Sequence, residues 1–204
     1  RFPAQDQKAL SEFESTSQLA RIGDVQGATK VLEGLEKRFP DMFVIALRRA
    51  SLQLLMGDPK IALEITRKLI SKHPSEPNVL CAAASAEAVA GDKAKALQIA
   101  LRAVKIYPRL AEAHQALVEA YVANKKFSEA SAAIKSALGQ APNAGLFLAQ
   151  AVVLNAQGKR PEAIGILKEA ANNPILLSDQ AALFETFRKI EAFEEALQLV
   201  AAME

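Results

Sequence analysis

The sequence predicts an all-α fold of the solenoid type, and three observations carry that prediction. Small residues recur in a ladder, Ala28, Ala62, Ala96, Ala130, Ala163 and Ala196, with steps of 34, 34, 34, 33 and 33 residues. Prolines recur in a second ladder, Pro40, Pro74, Pro108, Pro142 and Pro174, with steps of 34, 34, 34 and 32. Between the ladder positions apolar residues keep helical spacing, and no segment alternates with period two for long enough to be a convincing strand. One helix pair cannot bury its apolar face alone, so a repeat of this length implies pairs that stack and share a core with their neighbours.

The stretch from Gly91 to Pro108 shows the unit. Gly91 ends one helix, Asp92 can cap the next, Ala96, Ile99, Ala100 and Ala103 recur at helical spacing, and Pro108 closes the segment. Each repeat then reads as two helices. Repeat 9–42 has one from about Ala9 to Ile22 and one from about Val25 to Arg38, with Ala28, Val31, Leu32 and Leu35 on one face. Repeat 43–76 has Phe43 to Met56 and Pro59 to Lys72, where Asp58 supplies a cap and Pro59 sits where its missing N–H costs nothing. Repeat 77–110 has Pro77 to Ala90 and Lys93 to Ile106, and repeat 111–143 has Ala111 to Asn124 and Phe127 to Gln140. Repeat 144–176 has Gly145 to Gln157 and Arg160 to Asn172, and repeat 177–204 has Leu177 to Ile190 and Phe193 to Met203. The short connections make neighbouring helices antiparallel. Residues 1–204 are expected to form a single solenoid.

Composition fits this reading. Half of the 204 residues are apolar and 24% are charged, which suits a folded chain rather than a disordered one. Forty alanines favour closely packed helices. No apolar run is long and uncharged enough to span a bilayer, so membrane insertion is not expected. The net charge of +2, with both signs interspersed, argues against a protein devoted to nucleic acid or anionic lipid. The one cysteine, Cys81, excludes an internal disulfide framework. The chain starts without methionine and stops inside a predicted helix, which reads as a slice of a longer protein with further repeats or a capping helix.

These residues resemble the tetratricopeptide (TPR) repeat family across essentially the whole chain. The family pattern places a small residue at position 8, alanine at 20, an apolar residue at 24, alanine at 27 and proline at 32. Position 8 is filled by Thr16, Ala50, Ala84, Val118, Ala151 and Phe184, and position 27 by Leu35, Leu69, Ala103, Ala137, Ala170 and Met203. At position 4 only Phe147 keeps the family's aromatic, and at position 11 Tyr121 does so. The first helix of each repeat is thus degenerate and the second well matched, and the sixth repeat departs most. The resemblance implies a right-handed superhelix whose first helices line a concave groove through positions 2, 5, 9 and 12.

On that mapping the groove candidates are Leu47 and Ser51, then Asn78, Cys81 and Ser85, then Glu112, Gln115 and Glu119, and finally Leu148, Val152 and Asn155. Leu10, Phe13, Ser17, Ala20, Val44 and Leu54 extend the surface on its N-terminal side. The Lys and Asn pattern with which some relatives clamp a peptide carboxylate is absent. An apolar or amphipathic helix, or an extended peptide with basic residues near Glu112 and Glu119, fits these side chains. The alternative is that both carboxylates only solvate a surface helix. His114 replaces a family aromatic and reads as packed and hydrogen-bonded, while His73 reads as a surface residue at a helix end. The two histidines are far apart without a ligand cluster, so no metal site is expected, and Cys81 has no adjacent activating residue in sequence. Phosphate loops and nucleophile elbows are absent, so neither a cofactor nor catalysis is expected. The leading expectation is a protein-interaction scaffold, with a texture similar to arrays of bacterial envelope, polysaccharide-export and pilus assemblies. The alternative is the substrate-recruiting region of a larger enzyme.

Overall fold

A computed structural model of the chain describes residues 6–56, 58–140, 144–171, 183, 186–188 and 190–201. The described residues form α1 (Gln7–Arg21), α2 (Val25–Arg38), α3 (Phe43–Met56), α4 (Pro59–Lys72), α5 (Pro77–Ala90) and α6 (Lys93–Ile106). They continue through α7 (Ala111–Ala123), α8 (Phe127–Gln140), α9 (Ala144–Ala156), α10 (Arg160–Ala171) and α11 (Phe193–Ala201). Most of the expected helix Leu177 to Ile190, with Phe184, lies outside the described residues, as does Met203. Two compact units divide at Ile99 and Ala100.

Within each unit successive helices pack on one another. In the first unit α1 packs on α2, α2 on α3, α3 on α4 and α4 on α5, and α3 also touches α5. In the second, α7 packs on α8, α8 on α9 and α9 on α10, and α7 also touches α9. This is an all-α, solenoid-type architecture of consecutive helix pairs, and the alanine ladder explains why it closes. Ala28, Ala62, Ala96, Ala130 and Ala163 are all fully buried. A side chain of one carbon lets helix backbones approach closely, and each ladder residue lies in the second helix of its pair. Position 8 is equally closed, with Ala50, Ala84 and Ala151 fully buried and Val118 nearly so. Thr16 is tolerated there because its hydroxyl donates to the Phe13 carbonyl oxygen at 2.6 Å, which leaves no buried polar group unsatisfied.

The turns repeat as faithfully as the cores. Phe39, His73 and Tyr107 each precede a ladder proline, and their carbonyls accept from the amides of Met42, Glu76 and Leu110 at 3.1, 3.3 and 3.1 Å. Each is a β-turn with proline as its second residue, the place where a fixed φ helps most. In four of the pairs the turn between the two helices is a left-handed helix stop: Gly23, Lys125, Gly158 and Glu191 have φ of 82, 57, 78 and 58°. The next residue's amide then reaches back to a carbonyl five residues earlier, as Asp24 to Leu19, Lys126 to Tyr121, Lys159 to Leu154 and Ala192 to Phe187, each at 2.9 Å. Phe187 adds a second aromatic at position 11, beside Tyr121, and it is fully buried.

Some local expectations shift. α1 starts at Gln7 because Asp6 caps it, accepting from the Ala9 amide at 2.9 Å. Asp24 and Asp92 cap α2 and α6 through the Gly27, Ala94 and Lys95 amides. Asp58 makes no side-chain capping bond, so Pro59 alone marks that helix start.

Candidate partner-binding face

The groove candidates fall in both units, and each set is described by itself. In the first unit Leu47 and Cys81 are half-buried, as is Ser85, while Ser51 and Asn78 are exposed. They lie on α3 and α5, the two first helices that touch each other. In the second unit Glu112 is exposed, Gln115, Glu119, Val152 and Asn155 are half-buried, and Leu148 is buried at 8% exposure. These lie on α7 and α9, which also touch. Gln115 donates to Glu119 at 3.4 Å across one turn of α7. Leu148 belongs to the core more than to a surface, since it packs with Ala151, Ala163, Leu167 and Phe187.

The histidines serve structure. His114 is 4% exposed and its Nε2 lies 2.8 Å from the Pro108 carbonyl oxygen, which ties α7 to the proline turn before it. His73 is not a free surface residue: its ring stacks against Phe43 at 4.6 Å between centroids. Among the described residues no cluster of three or more His, Cys, Asp or Glu could hold a metal ion. Among them, too, no helix is long and apolar enough to cross a membrane.

Two arrangements lie outside the repeat pattern. The first centres on Glu87, at position 11 of the third repeat and 1% exposed. Its two oxygens take a bidentate pair from Arg67 at 2.8 and 2.9 Å, with Lys95 at 3.1 Å. Oε2 also accepts the Asp92 amide at 2.9 Å. Here a side chain takes the amide that a backbone carbonyl takes in other turns, and Gly91 stops the helix at φ −117° rather than in the left-handed region. A Cβ on Gly91 would collide with the Glu87 carboxylate, so the close approach requires glycine. The Arg67 hydrogen bonds, then the Asp92 amide and Lys95, overcome the cost of burial and hold the Glu87 carboxyl down at about 2.

The second lies at the N-terminal end of the first unit. Arg48 of α3 rests over the Phe13 ring with its guanidinium carbon 5.0 Å from the centroid, and its Nη1 donates to Ser17 Oγ. Phe13 and Ser17 are both groove candidates on α1. The signal in sequence is two adjacent arginines, the only charged residues of α3, of which Arg49 turns the other way to a bidentate pair with Glu36 at 2.9 and 3.0 Å.

Comparison with known proteins agrees with this architecture. Residues 16–143, more than half of the chain, match the family described as ChAPs (Chs5p-Arf1p-binding proteins). Residues 116–174 match a tetratricopeptide repeat family. No curated protein matches the chain. Among solved structures, a thermophilic TPR protein of Thermus thermophilus, TTC0263, is similar with a TM-score of 0.74 at 20% identity, over 89% of this chain and 98% of that one. MamA of Desulfovibrio magneticus RS-1, from residue 41 to its end, is similar with a TM-score of 0.57 at 15% identity, over 81% and 94%. A tetratricopeptide repeat protein of Parabacteroides merdae is similar with a TM-score of 0.54 at 16% identity, over 96% and 78%. With stacked helix pairs, buried alanines at one period and proline turns between pairs, the chain is a tetratricopeptide repeat protein and belongs to the family of Chs5p-Arf1p-binding proteins.

Proposed function

We propose that this chain is an interaction scaffold that takes a peptide or helix of a protein partner along its first helices, at positions 2, 5, 9 and 12. The fold class supports an interaction scaffold in general, and the matching family is described by what it binds, Chs5p and Arf1p. The observation that carries the finer reading is the side-by-side packing of α3 with α5 and of α7 with α9. It sets Leu47, Ser51, Cys81 and Ser85 on one pair, and Gln115, Glu119, Val152 and Asn155 on the other, as side chains that are not fully used by the core. Such side chains suit a partner segment with its own apolar face. Glu112 and Glu119 are two turns apart on one helix and so share a face that favours basic residues in the partner.

The test is retention of a partner from the source lysate by the native chain beside a Glu112→Lys, Glu119→Lys variant with native helicity. A partner held by the native chain and lost by the variant supports the reading. Equal retention by both moves the binding surface away from α7.

A further inference from the structure

Resting on that reading, we infer that Arg48, held by Phe13 and Ser17, recognises a carboxylate side chain in a protein partner that lies along α1 and α3. Arg48 differs from the other arginines near it in what it lacks. Arg38 meets Asp6 and Glu12, Arg49 meets Glu36, and Arg67 meets Glu87. Among the described residues no carboxylate stands within ion-pair distance of Arg48. Glu12, the acid on one side of Phe13, is engaged by Arg38 and Lys8, and Glu14, on the other side, is exposed and does not pair with Arg48.

Half-buried arginine is costly to hold still, yet here it is held twice. The guanidinium lies over the Phe13 ring and one N–H is spent on Ser17 Oγ. A guanidinium has five N–H donors in one plane, so a single bond to Ser17 Oγ leaves donors enough for a carboxylate fork. Because the side chain is already immobilised, the entropy of ordering it is not charged to binding. The surroundings decide the source of the carboxylate. Leu10 is 44% exposed, and Val44 and Leu47 are half-buried, so an acidic residue in an amphipathic segment can place apolar neighbours on the same face. No acid occupies positions 2, 5, 9 or 12 of the first three repeats, so nothing on that face competes for Arg48.

The experiment selects binders from a displayed library of random peptides on the intact chain, then compares each peptide with its acid-to-amide analogue. The expected peptides share one acidic position flanked by apolar residues. Amide replacement weakens binding to the native chain roughly tenfold and leaves binding to Arg48→Met almost unchanged. Arg48→Lys, which keeps the charge without the planar fork, falls between them, and Ser17→Ala weakens the same acidic preference if Arg48→Met does not fold. Peptides without an acidic position, or an amide cost equal on native and Arg48→Met chains, overturn the inference. Peptides that bind through Glu112 and Glu119 alone overturn it while leaving the proposed function standing. Selection of no peptide overturns both.

Discussion

Glu87→Gln is the substitution whose effect the structure specifies most fully. The change keeps the shape and one acceptor oxygen but removes the charge and turns an –NH2 toward Arg67 and Lys95. The Glu87 carboxyl falls from an ordinary value near 4.5 to about 2. A shift of that size corresponds to roughly 3 kcal/mol, and because Arg67 and Lys95 remain half exposed to water the loss should be nearer 2 kcal/mol. A carboxylate whose folded value lies below its unfolded one stabilises fully above the unfolded value and loses that contribution as pH falls through the folded one. The gap between native and variant chains should therefore be full at neutral pH and shrink from about pH 4.5 toward 2. Urea unfolding followed by circular dichroism at pH 7 and near pH 3 measures it. A gap that is absent at pH 7, or equal at both pH values, refutes the reasoning. Gly91→Ala should give a similar loss with Glu87 intact, since the new methyl displaces the carboxylate from the Asp92 amide and Arg67.

Further outcomes follow from the repeat geometry. Ala96→Leu should destabilise by roughly 1–3 kcal/mol, because the ladder alanine is fully buried and extra atoms force its neighbours apart; an unchanged unfolding midpoint would place the close contact elsewhere. Lys125 holds φ 57°, so Lys125→Gly should be neutral or stabilise by up to about 1 kcal/mol, while Lys125→Val should destabilise. The same thermal melts check both.

The helices were legible because their ends are written in single residues. Asp24, Asp92, Pro59, Pro77 and the proline ladder fixed α2 to α6 almost to the residue, and periodicity filled the spaces between. What the period could not show is chemistry that breaks it. Glu87 joins position 25 of one repeat to position 11 of the next, and no other repeat pairs those residue types there. Arg48 stands one residue beyond a groove position, so a template of positions 2, 5, 9 and 12 passes over it. Leu148 shows the converse, since the template assigns it to the groove and the fold places it in one buried cluster with Phe187. Alanine content reports close helix contacts, which proteins of any compartment use, and so it carries no envelope assignment.

Hydrogen exchange of the chain with and without its captured partner tests the central claim most directly, because every helix reports in one measurement. Groove binding predicts slowed exchange in the first helices of the pairs, 43–56, 77–90, 111–123 and 144–156, with the second helices little changed. Protection confined to 59–72, 127–140 and 160–171 would contradict it.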